Sequence, residues 1–311
     1  MMEKPAGTGE RMPGEQAILG GATVLLSLFP GGLLFAPAPL AALVLRHGIA
    51  GGILTAVLAG ALVTFIGRSP LLAAQVLLTL ALGVALGEAL RESFGVKRTL
   101  AVGAAVVMVT TALLLYYFQR VTGMSLVDAM GEFWREMVKS AAGGDAAAQE
   151  AALEWLIAAM RATLPASVVV SSAGLAVLDY ALARWLVQKL PGGQDAVPPL
   201  PPFARWRFPR AAAAVFAAGF VLELFLGDRL AGSLGTAIIN VTLVLGVFVA
   251  VQGVAVAWHF LERLRLTKAL RLLLLAVIYL HPLLRPVAMI FFIGIGVLDA
   301  WIDMRKLREV A

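Results

Sequence analysis

Inside the long apolar runs of this 311-residue chain, seven polar side chains stand where lipid makes each of them costly: Gln75, Glu88, Asp179, Glu223, Asn240, Gln252 and Asp299. A charge near the bilayer centre costs roughly 2.5–3.5 kcal/mol on insertion scales, so each of these residues needs a partner or a task. Carboxamides suit two tasks: interhelical hydrogen bonding, with a mean yield of about 0.6 kcal/mol, or lining a polar cavity. Asn240 and Gln252 sit nearest the middle of their apolar run, and Ser233, Thr236 and Asn240 share one helical face. Glu88 and Asp179 lie within a turn or two of a span end, in reach of headgroups or loop arginines, and Glu223 lies about one turn from the opposite end. Asn240, Gln252, Glu223 and Asp179 are therefore the candidates for holding a small solute.

Asp299 and Asp303 are four residues apart, on one face close to a helix C-terminus where the dipole disfavours carboxylates. Lys306 shares that face, and the basic segment 262–271 belongs on the same side of the membrane. The expectation is structural ion pairing of Asp299, Asp303 and Lys306 that clamps the last helix to that segment; a cation or proton relay is the alternative. Other chemistry is poorly served. There is no cysteine, and the three histidines (His47, His259, His281) occupy separate span ends without an HExxH spacing. Neither a GxSxG elbow nor a phosphate-binding Gly-Lys-Ser loop occurs, and Gly294-Ile-Gly296 before Asp299 lacks the spacing of an intramembrane aspartyl protease. No enzyme activity, cofactor or metal is expected.

The elements that must position these residues follow from composition. The chain is 60% hydrophobic and only 14% charged, with a mean hydropathy of +0.90, against about 25% charged residues in ordinary domains. The apolar runs are continuous, which excludes the alternating dyads of a membrane β-barrel. The expected fold is all-α, a polytopic transmembrane helical bundle of about 8 to 10 membrane segments. Clear spans cover 48–66, 70–90, 98–118, 163–185, 210–227 and 233–259, whereas 17–45 and 269–300 are punctured at Pro30-Gly31-Gly32, Pro37-Ala38-Pro39 and His281-Pro282…Pro286. The Ala-Pro-Ala at 36–38 looks like a signal-peptidase site. However, Glu3, Glu10 and Glu15 against Lys4 and Arg11 make a poor n-region, so the first span is expected to be retained.

Basic residues gather in 91–98, 184–210, 262–271 and the C-terminus, which places these in the cytoplasm, while the insert 119–162, with six acidic and four basic residues, belongs outside. The net charge of +6 is accounted for by those loops and implies no nucleic acid. With the N-terminus inside, each punctured region starts and ends on one side and must be a hairpin of two short helices, because proline removes a donor and restricts the residue before it. Broken backbone at membrane depth survives only beside protein or a watery cavity, and paired breaks point to a transporter's substrate site. Tight external turns are the alternative reading. Gly48, Gly52, Ala56 and Gly60 recur every fourth position, and Thr79, Gly83 and Gly87 repeat the pattern, giving small faces for helix packing.

The expected organisation is a disordered N-terminus (1–16), an N-terminal bundle (17–118), an extracytoplasmic amphipathic insert (119–162), a C-terminal bundle (163–303) with a cytoplasmic Pro-rich loop (190–209), and a basic tail (304–311). In the insert, Ser125 and Asp128 form a capping box for one amphipathic helix, and Gly143-Gly144 turns into a second, capped by Asp145 and carrying Trp155. Such a pair lies on the membrane interface or serves as a lid. The surroundings are the lipid bilayer, with a small-molecule solute or other membrane subunits as partners. A multi-pass protein of the cell's inner membrane with a cytoplasmic C-terminus is expected.

Pro202-Phe203, Trp206-Arg207-Phe208-Pro209, Val251-Gln252-Gly253, Lys268-Ala-Leu-Arg271 and Gly296-Val-Leu-Asp299 with Trp301, Asp303, Arg305 and Lys306 together resemble the YybS family of bacterial inner-membrane proteins, a domain of unknown function. The N-terminal third more weakly resembles the substrate-binding S-components of energy-coupling-factor vitamin transporters, in which a proline-bearing break also precedes a glycine-rich helix, here Pro37-Ala-Pro39 and then Gly48 to Gly60. That resemblance implies a small molecule held within the bundle and separate ATPase and coupling subunits. A non-catalytic membrane scaffold that partners other envelope proteins is the competing functional reading.

Overall fold

The computed structural model describes residues 14–29, 31–140, 146–227 and 232–306. Residues 1–13 of the expected disordered terminus, Pro30, the Gly143-Gly144 turn, the Asp145 cap and the tail beyond Lys306 lie outside the described residues. Among those described there are eleven α-helices and no strand. They are α1 (Glu15–Ser27), α2 (Pro37–His47), α3 (Ile49–Gly67), α4 (Pro70–Arg91), α5 (Val96–Thr122), α6 (Leu126–Ser140), α7 (Ala146–Lys189), α8 (Arg210–Leu226), α9 (Gly232–Arg263), α10 (Lys268–Leu280) and α11 (Leu284–Ile302). Six of them, α3, α4, α5, α7, α9 and α11, are long and apolar enough to cross a membrane.

The chain divides into two compact units. One comprises Met1–Arg161 with Val168–Leu200, the other Ala162–Ser167 with Pro201–Ala311. The boundary expected at 162/163 falls inside α7. No glycine or proline interrupts residues 146–164, so the expected second insert helix, with Trp155, is simply the first half of this 44-residue helix.

In the first unit the chain breaks after α1, passes through a 3-10 turn at Gly32–Leu34 and restarts as α2. Pro37 and Pro39 lie in the first turn of α2, where a missing donor is harmless and a fixed φ favours the helix. The prolines therefore start a helix. Every residue of α2 from Pro37 to Arg46 is buried, so this short helix is encased by its neighbours. Its entry is tied down by charge. Glu15, with its side chain fully buried, takes two hydrogen bonds from Arg46, at 2.7 Å from Nε and 2.9 Å from Nη2. Arg46 also donates to Pro191 O at 3.0 Å, and His47 Nε2 stands 3.3 Å from Glu15. The start of α1 and the end of α2 are thus pinned together, and Glu15 is ordered helix although it falls within the segment expected to be disordered.

The small faces divide by function. Gly83 and Gly87 on α4 let the backbone of α2 come close: a Cβ would stand 2.5 Å from Pro37 O and 2.6 Å from Ala41 O. Gly52 abuts the Val44 side chain, Gly60 faces Leu77 at 3.0 Å, and Ala56 is buried. Gly48, expected on the same packing face, is instead the pivot between α2 and α3, with φ of 92° and only the Arg91 guanidinium near the place of a Cβ, at 3.7 Å. Its task is conformational, since a left-handed φ suits glycine.

Outside these spans, α6 opens as its sequence demands. Ser125 Oγ accepts from Asp128 N at 3.1 Å and donates to its carboxylate at 2.6 Å, and Arg161 pairs with the same carboxylate. The Ser125 hydroxyl, and then Arg161, hold Asp128 below the usual carboxylate range. Arg135 pairs with Glu154 at 2.6 Å, and Phe133 and Met137 remain exposed on α6.

The second unit is built on α9 and α11, with α8, α10 and the Pro-rich segment around them. Its core gathers Ala213, Phe216, Val249 and Ala300. The second punctured region is again two helices, α10 and α11, broken at 281–283, with Tyr279 stacked on Phe292 at 6.2 Å.

Candidate functional site

Three of the four candidate solute residues lie in the second unit, and two of these are already engaged. Asn240 Oδ1 accepts from Ala166 N at 2.7 Å, and its Nδ2 donates to Ala162 O and Thr236 O, each at 2.7 Å. Ala162 O and Ala166 N are the pair an unbroken helix would join to each other, and Pro165 between them is what disturbs it. The carboxamide is an insert that repairs a proline-disturbed helix. Asn240→Ala should lower stability by about 1–2 kcal/mol. In a Pro165→Ala background, where the helix can close its own bond, the same substitution should cost markedly less. Reversible unfolding in mixed micelles measures both.

Gln252 is 1% exposed and equally occupied. It accepts from Phe208 N at 2.9 Å and donates to Asp299 Oδ2 at 2.8 Å. Asp299 faces Arg305, at 2.8 Å from Nη2 and 3.4 Å from Nε, and Arg305 also donates to Ala204 O at 2.6 Å and Trp206 O at 3.0 Å. Asp303 pairs with Arg207 at 3.3 Å. Both carboxylates are thus in ion pairs, but the partners differ from those expected. They come from the C-terminal turn and the Pro-rich segment, in place of Lys306 and segment 262–271. Lys306 is exposed, and among the described residues no carboxylate pairs with it. The chain reverses at Asp303 (φ 52°), which swings Arg305 back under the helix. Glu223 on α8 is half-buried, and its Oε1 has no hydrogen-bond partner among the described residues. Asn240 and Gln252 are twelve positions apart on α9, about 18 Å at 1.5 Å per residue, so they do not meet at one cavity.

Asp179 is different. It belongs to the first unit, is fully buried, and among the described residues neither carboxylate oxygen has a hydrogen-bond partner. Because α7 runs on to Lys189, past the span end expected at 185, Asp179 is ten residues, about 15 Å, from that helix end. The first turn of α2 lies against it. The N–H of Ala38 faces the carboxylate but is directed to Phe35 O at 3.3 Å. The positive end of an encased half-helix therefore sits beside a bare carboxylate. Both border a cavity of ≈ 160 Å³, whose polar groups besides Asp179 are Gln75, Thr79, Thr110 and Thr111, the rest being Pro37, leucines and a valine. Gln75 was readable as a polar residue in a span; the threonines were not, since a threonine in a transmembrane helix usually bonds its own backbone.

Fold and composition define a multi-spanning helical membrane protein. The chain belongs to the family described as predicted membrane protein (DUF2232), whose model matches residues 16–300. No curated protein and no solved structure matches it.

Proposed function

We propose that this chain is a multi-pass bacterial inner-membrane protein, with its C-terminus in the cytoplasm, that binds or transports a small solute in the cavity beside Asp179. The observation that carries the reading is the carboxylate itself: fully buried, with no hydrogen-bond partner among the described residues, at the N-terminus of a broken helix and at the edge of a cavity that also holds Gln75 and three threonines. An unpaired buried charge costs several kcal/mol and is retained where it has a task. Half-helix ends at membrane depth are the usual place for such a site. The resemblance to S-components of vitamin transporters, and the YybS resemblance in the C-terminal third, accord with this reading, and no enzymatic step is part of it.

The second reading, a non-catalytic scaffold, is favoured by a separate observation: none of the residues of α10 is buried. Native mass spectrometry of protein purified from its own membranes separates the two. The first reading expects a small-molecule adduct on the wild type that Asp179→Asn loses. The scaffold reading expects a protein subunit retained equally by both.

A further inference from the structure

We infer that the solute is a small amine carried as its ammonium ion, with Asp179 as the counter-ion; this rests on the cavity being the solute site. Among the described residues no lysine, arginine or histidine lines the cavity. Two of its polar groups, Thr110 and Asp179, are set to accept. Thr110 donates its hydroxyl proton to Val107 O at 3.2 Å and so turns lone pairs toward the space. Asp179 is acceptor-only when ionised. An anionic solute, which such a half-helix end would otherwise attract, meets a carboxylate already in place. A bare metal ion is poorly served, because hard cations take six or more oxygen ligands. The wall here is mostly aliphatic, and among the described residues no group of three or more His, Cys, Asp or Glu could hold a metal. What fits is a positive group with several N–H donors on a short apolar body.

Size sets the limit. A water occupies ≈ 30 Å³ in the liquid, so ≈ 160 Å³ holds about five such units. The best ligands are therefore primary ammonium ions with about four to six carbons.

Thermal unfolding of the detergent-solubilised full chain, followed by tryptophan fluorescence, tests this with alkylammonium chlorides of one to eight carbons. Controls are sodium chloride at equal ionic strength and the alcohols of matching length. Wild type should gain several degrees, peaking near five carbons, while Asp179→Asn stays flat and Thr110→Val binds severalfold more weakly. A second measurement needs no variant: pentylammonium should slow carbodiimide labelling of Asp179 in the wild type by about tenfold, read by peptide mass spectrometry. If the alcohols stabilise as well as the ammonium ions and Asp179→Asn loses both, the amine class is wrong and the cavity reading stands. If no probe stabilises the wild type and no adduct co-purifies, both fall. Labelling unaffected by pentylammonium, or Asp179→Asn responding like the wild type, overturns the counter-ion role.

Discussion

Arg305→Ala should destabilise the C-terminal unit by about 3–5 kcal/mol, the cost of breaking a buried ion pair by removing one partner. Arg305 and Asp299 both have fully buried side chains. Removing the guanidinium leaves the carboxylate with one neutral donor, the Gln252 amide at 2.8 Å, and strips Ala204 O and Trp206 O of theirs. Arg305→Lys should recover only part of the loss. An ammonium keeps the charge, but it lacks the planar fork that reaches one carboxylate and two separate carbonyls together. The double variant Asp299→Asn with Arg305→Ala should be more stable than Arg305→Ala alone, because the stranded charge goes with its partner. Unfolding midpoints in mixed micelles rank the three. Equal midpoints for Arg305→Ala and the wild type would show that water reaches Asp299 and that the clamp carries no stability.

Why a clamp should stand there follows from the chain. Residues 201–209 contain Pro201, Pro202 and Pro209 and form only a one-turn 3-10 helix at Phe203–Arg205; the carbonyls of Pro201, Pro202 and Phe203 are bonded within the segment, whereas those of Ala204 and Trp206 take their donors from outside it. Buried backbone groups need partners from elsewhere. Arg305 supplies two carbonyls with donors, Gln252 supplies an acceptor for Phe208 N, and Asp299 holds both side chains. The residues that gave the C-terminal third its familiar pattern are thus largely one hydrogen-bonded fastening.

Much of the fold was legible because its signals are local. Composition makes the chain a membrane protein, and the helix breaks near 28–36 and 281–283 fall where proline and glycine cluster. Partners were harder to read, because most of them are backbone atoms. Nothing in the spacing of Asn240 says that it meets Ala162 and Ala166; the signal was Pro165, a proline inside an expected span that required an outside group to mend the helix. Gly48 matched the four-residue period only because the pattern runs on into a turn. Lys306 was placed by helical periodicity, which ends at Asp303 where φ turns positive. Of the candidate solute residues, Asp179 borders a cavity shared with Gln75 and three threonines, and its distance from the helix end depended on how far α7 continues past Arg184.

Gly253→Ala and Gly296→Ala should each cost about 3 kcal/mol, the upper range for overpacking, because the added methyl has no flexible neighbour to displace. A Cβ on Gly253 would fall on the carbonyl oxygen of Phe292, and one on Gly296 on the carbonyl oxygen of Val249. The two contacts are reciprocal: a glycine of α9 faces the main chain of α11, and a glycine of α11 faces the main chain of α9. In lipid, where no hydrophobic force drives helices together, such close backbone approach is a main source of association. Either methyl must push the helices apart along their common seam. Once they have parted, the second methyl finds room, so the double variant should cost clearly less than the sum of the singles. Gly294 provides the control on the same helix. Nothing lies within 4 Å of a Cβ built there, so Gly294→Ala should be neutral or slightly stabilising through its better helix propensity. Because Gly294 and Gly296 are only two residues apart, a difference between them isolates the facing main chain from any general intolerance of α11 to substitution. If the three substitutions prove equally mild in micelle unfolding, the seam is not held by backbone contact. The packing of α9 on α11 would then have to rest on the side chains that line it, Val249 and Ile293 among them.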